Sequence, residues 1–279
     1  MKQGDSMIYA MSDIHGCLEA LEEKMELVDL SGNNRIIFLG DYIDYGPDSG
    51  GVLRYLYDFC REAEKDKVVM LKGNHEAMLL EWIDEFKKPV TPLMEAMSYD
   101  SWLKTDSEHG YNAFKTLVTK KQFERINETE QESSFASLNH EAVNMVLETS
   151  GDLIKWIRSM ESFYETDTQI FVHAGVDEEA GEYWKWGTGD DIFLWKFPAS
   201  LGKFCKTVIA GHVGTGSIAR DSSFHEIYHD GASHYYIDGS VYKHGKLLLL
   251  GYDEGTGKYY QVEERGNELL YKRSASIPY

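Results

Sequence analysis

An α/β fold follows from the order of the apolar runs, the helical patterns between them, and the polar clusters that follow them. Short β-branched runs bounded by Gly, Asp and Asn occur at Met7–Met11, Arg35–Leu39, Val68–Leu71, Gln169–Val172 and Thr207–Ala210, which reads as five buried strands. Leu18–Leu30 and Gly51–Glu64 carry helical periodicity between the first three runs. The chain therefore opens strand, helix, strand, helix, strand, as a right-handed βαβ unit does. Each of the five runs leads directly into a cluster of Asp, His or Asn beside glycine.

The remaining elements are read in order. Residues 77–161 carry long helical periodicity, scattered Trp and Met and few strand signals, and are expected to form a helical insert or cap within a single domain spanning 1–279. Its polar middle, Asn127–Ser137, reads as a loop. After Ala210 come short strand patterns at Phe224–Tyr228, His234–Asp238, Lys246–Tyr252 and Lys258–Glu263, with Asp253–Gly257 as a hairpin turn.

Composition narrows the function. Of 279 residues, 42% are hydrophobic and 27% charged, as in ordinary globular proteins, and 28 Lys and Arg against 47 Asp and Glu give a net charge of -19. That field disfavours nucleic-acid and anionic-membrane partners, so a phosphate-bearing substrate would need strong local positive charge. No run approaches the roughly 18 apolar residues of a membrane span, and residues 1–10 have no basic segment leading into an apolar one, so a cytoplasmic protein is expected. Cys17, Cys60 and Cys205 are odd in number and far apart, which points to reduced thiols. None has an Arg six positions on, as a cysteine-dependent phosphatase loop would need.

The clusters carry the chemistry. After the first run comes Asp13-Ile14-His15, after the second Gly40-Asp41-Tyr42-Ile43-Asp44, and after the third Gly73-Asn74-His75-Glu76. The fourth ends in His173-Ala174-Gly175 and the fifth in Gly211-His212. Singly, each reads more simply as a turn, a helix cap or a hydrogen-bonded rim histidine. Five together, each at a strand end, put all these side chains at one rim, where ligands bind in open α/β sheets. Imidazole, carboxylate and amide oxygen together suit Mn, Fe, Zn or Co.

The pattern D-x-H, GD-x-x-D, GNH[ED], H-[AG]-G, G-H, spread over residues 13–212, resembles that of the calcineurin-like metallophosphoesterases. Within them it is similar to the bacterial relatives of the phosphoprotein phosphatases and of symmetrical diadenosine tetraphosphatase. The resemblance implies a four-layer α/β/β/α sandwich of two mixed sheets, with two divalent transition-metal ions, most simply Mn, at the strand ends. It implies that Asp13, His15 and Asp41 hold the first ion, that Asp41 bridges, and that Asn74, His173 and His212 hold the second. It implies further that His75, oriented by Asp44, is the general acid or a stabiliser of the leaving group, and that phosphate esters are hydrolysed by a metal-activated hydroxide. Two such ions also answer the objection raised by the acidic net charge.

The sequence departs from this family where phosphate is bound. The family's GD-x-x-D-R-G arginine is replaced by Tyr45, and its Trp-x-Arg or Trp-Arg by Leu194-Trp195-Lys196-Phe197. Tyr45, Lys196 and Arg220 are the candidates for substrate contact. Trp184, Trp186, Phe193, Trp195 and Phe197 either line a pocket or pack the core, whereas His225, His229, His234 and His244 lack motif partners and read as structural. The expected activity is a serine/threonine-protein-phosphatase-like monoesterase acting on a phosphoprotein. A dinucleoside polyphosphate or nucleotide hydrolase, or a phosphodiesterase, is the alternative, and a metal-dependent binding protein without activity is the rival from another class.

Overall fold

A computed structural model describes residues 6–96, 101–103, 109–129 and 133–263. The strands are β1 (Met7–Met11), β2 (Arg35–Phe38), β3 (Val68–Met70), β4 (Phe163–Glu165), β5 (Gln169–Val172), β6 (Thr207–Ala210), β7 (Tyr228–His229), β8 (His234–Tyr236), β9 (Leu250–Asp253) and β10 (Lys258–Gln261). The helices are α1 (Leu18–Met25), α2 (Ser49–Glu62), α3 (Asn74–Phe86), α4 (Pro92–Ala96), α5 (His109–Leu117), α6 (Lys120–Thr129), α7 (Phe135–Arg158), α8 (Trp184–Gly187), α9 (Asp190–Trp195), α10 (Thr215–Ala219) and α11 (Val241–His244).

Two mixed five-stranded sheets result, ordered β10-β9-β1-β2-β3 and β4-β5-β6-β8-β7. In the first, β1, β2 and β3 run parallel, β9 pairs antiparallel with β1, and β10 pairs antiparallel with β9; in the second, β5, β6 and β8 run parallel. The alternation along each strand explains the layering. Ile8, Ala10, Ile37, Leu39, Phe171 and Ile209 meet in one buried cluster between the sheets. Their neighbours Tyr9, Met11, Ile36 and Phe38 face the cluster formed with α1, α2, α3 and α7, whereas Ile170, Val172, Val208 and Ala210 face Trp184, Phe193 and Leu194. Helix, sheet, sheet, helix is the expected sandwich. The C-terminal ends of all six parallel strands point to one rim.

Strands β1, β2, β3, β5 and β6 fall within a residue of their expected bounds, and the other elements need correction. Phe224–Tyr228 is not a strand: the Asp221 side chain accepts the Ser223 amide (2.9 Å), its carbonyl accepts that of Phe224, and pairing is left to Tyr228–His229. Leu247–Leu249 are buried yet precede the strand, which begins at Leu250. Of the expected loop at Asn127–Ser137, the start belongs to α6, which runs to Thr129, the end belongs to α7, which Ser134 caps through the Ser137 amide (3.2 Å), and 130–132 lie outside the described residues. The short strand β4 was not foreseen; it pairs antiparallel with β5. The Asp253–Gly257 turn joins β9 to β10, closed by the Gly257 amide on the Asp253 carbonyl (2.8 Å).

Candidate metal centre

Each strand-end loop is stitched to the next by backbone hydrogen bonds. The amides of Asp13, His15 and Gly16 donate to the carbonyls of Gly40, Asp41 and Tyr42 at 3.1, 2.9 and 2.8 Å. Glu76, fully buried on the first turn of α3, accepts the amides of Asp41 (2.8 Å), Tyr42 (2.8 Å) and Gly73 (3.0 Å), so one carboxylate fixes the whole Gly40–Asp44 loop. A side chain at Gly73 would lie 2.2 Å from Asp41 Oδ1, and one at Gly211 would lie 2.1 Å from Asp13 Oδ2, which is why those positions carry glycine. Asp13, His15, Asp41, Asp44, Tyr45 and His212 all have φ between 45° and 70°, a left-handed conformation that costs free energy in non-glycine residues and gathers at functional sites.

These loops bring together Asp13, His15, Asp41, Asp44, Asn74, His75, His173 and His212, all but His212 nearly fully buried. Two ligand-type groups, His15 with Asp41 and His75, and Asp41 with His173 and His212, share Asp41. Asp41 Oδ2 lies 3.6 Å from His15 Nε2 and 3.5 Å from His173 Nε2. Asn74 Oδ1 is 2.8 Å from His173 Nε2 and 3.0 Å from His212 Nδ1. The Asp13 carboxylate accepts the His212 amide at 3.0 Å and lies 3.9 Å from His15 Nε2. His75 Nε2 lies 3.9 Å from Asp41 Oδ2, and its other nitrogen donates to Asp44 Oδ2 at 2.7 Å.

The donor set fits divalent metal ions. A carbonyl can only accept, so His15 Nδ1, 2.9 Å from the Ile43 carbonyl, and His173 Nδ1, 3.0 Å from that of Leu39, carry their ring protons. Their Nε2 lone pairs then face carboxylate and amide oxygens, acceptor against acceptor, an arrangement that a cation at the centre relieves. No cysteine belongs to either group, which excludes a thiolate structural site. Burial, and the charges of Asp238 and Asp41, push the Asp13 carboxyl well up, and burial with Asp41 pushes Asp238 up to about 6. Burial also raises Asp41, but the imidazoles of His173, His75 and His15 outweigh it and hold that carboxylate below its usual range. Burial and the neighbouring His173 bring His212 down to about 4, the neutral form that ligates metals. His75 goes the other way: burial lowers it, but Asp41 and the hydrogen-bonded Asp44 lift it to about 9.

A cavity of about 700 Å³ opens over this centre. Tyr45 lines it, its ring 5.1 Å from that of His75. Lys196 and Arg220 do not line it: the Lys196 amine is tied to the Val176 carbonyl and to Glu178, and Arg220 is exposed at the end of α10. Of the five late aromatics only Trp195 reaches the cavity, 6.4 Å from the His212 ring. Trp184 and Phe193 are buried against Phe163, and Trp186 and Phe197 face solvent. Four lining residues had no local sequence signal. Trp102 donates its indole N–H to Asp44 Oδ2 (3.0 Å) across 58 residues, and Asp238, Tyr242 and Lys243 arrive on the loop after β8.

Comparison with known proteins gives the family and the fold. The model of the calcineurin-like phosphoesterase family matches residues 6–215. Symmetrical bis(5'-nucleosyl)-tetraphosphatases from Chromobacterium violaceum and Wigglesworthia glossinidia brevipalpis are 35% and 37% identical to it over 82 and 81 residues. Each match covers 29% of this chain and 28% of the relative, so the shared stretch spans less than a third of either protein. Among solved structures, a cold-active protein tyrosine phosphatase superposes with a TM-score of 0.54 at 16% identity, covering 95% of this chain and 81% of the other, a likeness of fold. The chain belongs to the calcineurin-like phosphoesterases, a family of hydrolases.

Proposed function

We propose that this protein is a dinuclear metal-dependent phosphoesterase, with Asp13, His15 and Asp41 holding one ion, Asn74, His173 and His212 the other, and Asp41 shared. The observation that carries this reading is the Asp41 carboxylate set between His15 and His173, at 3.6 and 3.5 Å. When bound, two such ions supply an activated water near neutral pH and neutralise the phosphoryl oxygens in flight. His75 faces the cavity and hands its Nε2 proton to the leaving oxygen. Asp44 fixes its tautomer through Nδ1, and with Asp41 keeps the imidazole protonated at neutral pH. Trp102 and the buried walls around Asp44 keep water from that pair.

The substrate reading is a phosphomonoester, of the phosphoprotein kind. One face of α3 lines the cavity from Asn74 through Met78 to Glu81, Trp82 and Glu85. By helical rise the two glutamates stand about 10 and about 16 Å along the helix from Asn74. A polyphosphate chain laid along that face would meet like charge, whereas an extended peptide carrying basic residues would not. The alternative, hydrolysis of a dinucleoside polyphosphate, is favoured by the names of the sequence relatives and by the aromatic walls of Tyr45, Tyr242 and Trp195. Turnover of p-nitrophenyl phosphate, phosphopeptides and diadenosine tetraphosphate by manganese-loaded protein separates the readings. Higher kcat/KM on basic phosphopeptides is expected; higher kcat/KM on the dinucleotide selects the alternative, and no turnover of any of them leaves a binding protein.

A further inference from the structure

We infer that Lys243 is the cation that binds the substrate's phosphoryl oxygens, the role that the sequence offered to Lys196 and Arg220. The inference rests on the phosphoesterase reading above and names a residue outside the ligand motifs. Among the described residues that line the cavity Lys243 is the single lysine, and none is an arginine. It sits on α11, a one-turn helix held open at both ends by the left-handed Ser240 and Gly245, on the loop that follows β8 to the same rim as the ligands.

Its exposed side chain lies against the aromatic wall of the cavity. The ammonium lies 5.0 Å from the centroid of the Tyr242 ring. That ring stacks on Tyr45 at 4.2 Å and meets the His15 ring edge-on at 5.4 Å. A cation on an aromatic face is attracted by the ring yet keeps its N–H groups for a ligand. The stack of Tyr45 and Tyr242 thus occupies the place of the family's arginine and carries a positive charge on its outer face. Among the described residues Lys243 makes no ion pair within 4.0 Å, and its charge is felt by the cavity-lining Asp238 carboxyl, whereas Lys196 is held away by Glu178. An ammonium is a point charge with three rotatable donors, so it can follow a phosphoryl oxygen without the planar fit a guanidinium demands. It would favour the dianion of a monoester over the monoanion of a diester.

Kinetics of metal-loaded protein on p-nitrophenyl phosphate and on methyl p-nitrophenyl phosphate, with calorimetric titration of orthophosphate, test this. Lys243→Ala should raise KM for the monoester about tenfold, change the diester far less, and weaken orthophosphate binding by a similar factor, as loss of a charged hydrogen bond does. Lys243→Arg should recover most of the loss, and Arg220→Ala should match wild type. Equal effects on the two esters, unchanged orthophosphate affinity, or the selective loss appearing in Arg220→Ala would overturn the assignment. If the wild type holds its metals but cleaves neither ester, the phosphoesterase reading fails, while the orthophosphate titration still decides the role of Lys243.

Discussion

Among the described residues two groups of histidines and carboxylates stand out, and only one of them balances its own charge. Around His234, which is fully buried, the ring donates to Asp230 Oδ2 (2.7 Å) and Glu178 Oε1 (3.0 Å), and Lys196 pairs with the same glutamate at 3.5 Å. Two cations face two anions, and Asp230 also accepts the Gly202 amide at Oδ2 and the amides of Ala232 and His234 at Oδ1. Around Asp41 the opposite holds: Asp13, Asp41 and Asp238 converge on imidazoles that burial drives toward neutrality. A satisfied buried ion network anchors structure, whereas an unbalanced one built on strained backbone stores free energy for a ligand. The first group pins the segment carrying Trp195, and the second is the centre itself.

The largest effect expected is from Asp41→Asn, which should take activity to background and empty both metal positions, as read by elemental analysis beside activity. The same change should barely move the melting temperature of the metal-free protein, because the centre is not what holds the fold. His75→Asn should keep the metals and lose about 100-fold or more in turnover, with alkyl phosphates suffering more than p-nitrophenyl phosphate. Equal losses on both would remove His75 from the acid role. At the balanced group the pattern inverts: His234→Gln should cost about 3 kcal/mol of stability by stranding the buried Asp230 carboxylate, with metal content unchanged. Urea unfolding measures it.

A smaller effect separates the groups by pH. His234 is raised to about 9, burial being outweighed by Asp230 and Glu178, so its contribution is complete below its ordinary value of 6.5 and fades as pH rises through 9. The stability gap between wild type and His234→Gln should therefore shrink between pH 6.5 and 9.5. At the centre stability also falls as pH rises, but in a lower window and as a penalty instead of a lost gain, because carboxyls raised in the fold cost the metal-free protein more as pH rises through their range. Metal-free protein should lose stability from about pH 4 toward 7 relative to metal-loaded protein. A gap that widens with pH for His234→Gln would contradict the ion-pair account.

The ligand loops were legible because their chemistry is local. Asp13 and His15, Asp41 and Asp44, and Asn74 and His75 are each within three residues of one another, directly after strands whose alternation between two apolar clusters fixes where they end. The four-layer sandwich came with the family resemblance, and the two sheets bear it out. Trp102, Tyr242 and Lys243 were not legible, since they reach the site through contacts with residues far away in sequence that no local pattern encodes. Lys196 and Arg220 misled because a basic residue near a motif says nothing of where its long side chain turns. The apolar Leu247–Leu249 reads as strand although its burial is supplied by an irregular segment.

The central claim is that Asp41 joins two metal ions in one centre, and titration of metal-free protein with manganese, followed by calorimetry and elemental analysis, tests it most directly. Close to two ions per chain for wild type, and fewer than one for Asp41→Asn with the fold intact, is the predicted result. A wild-type protein that saturates at one ion, with no second site on further titration, would contradict it.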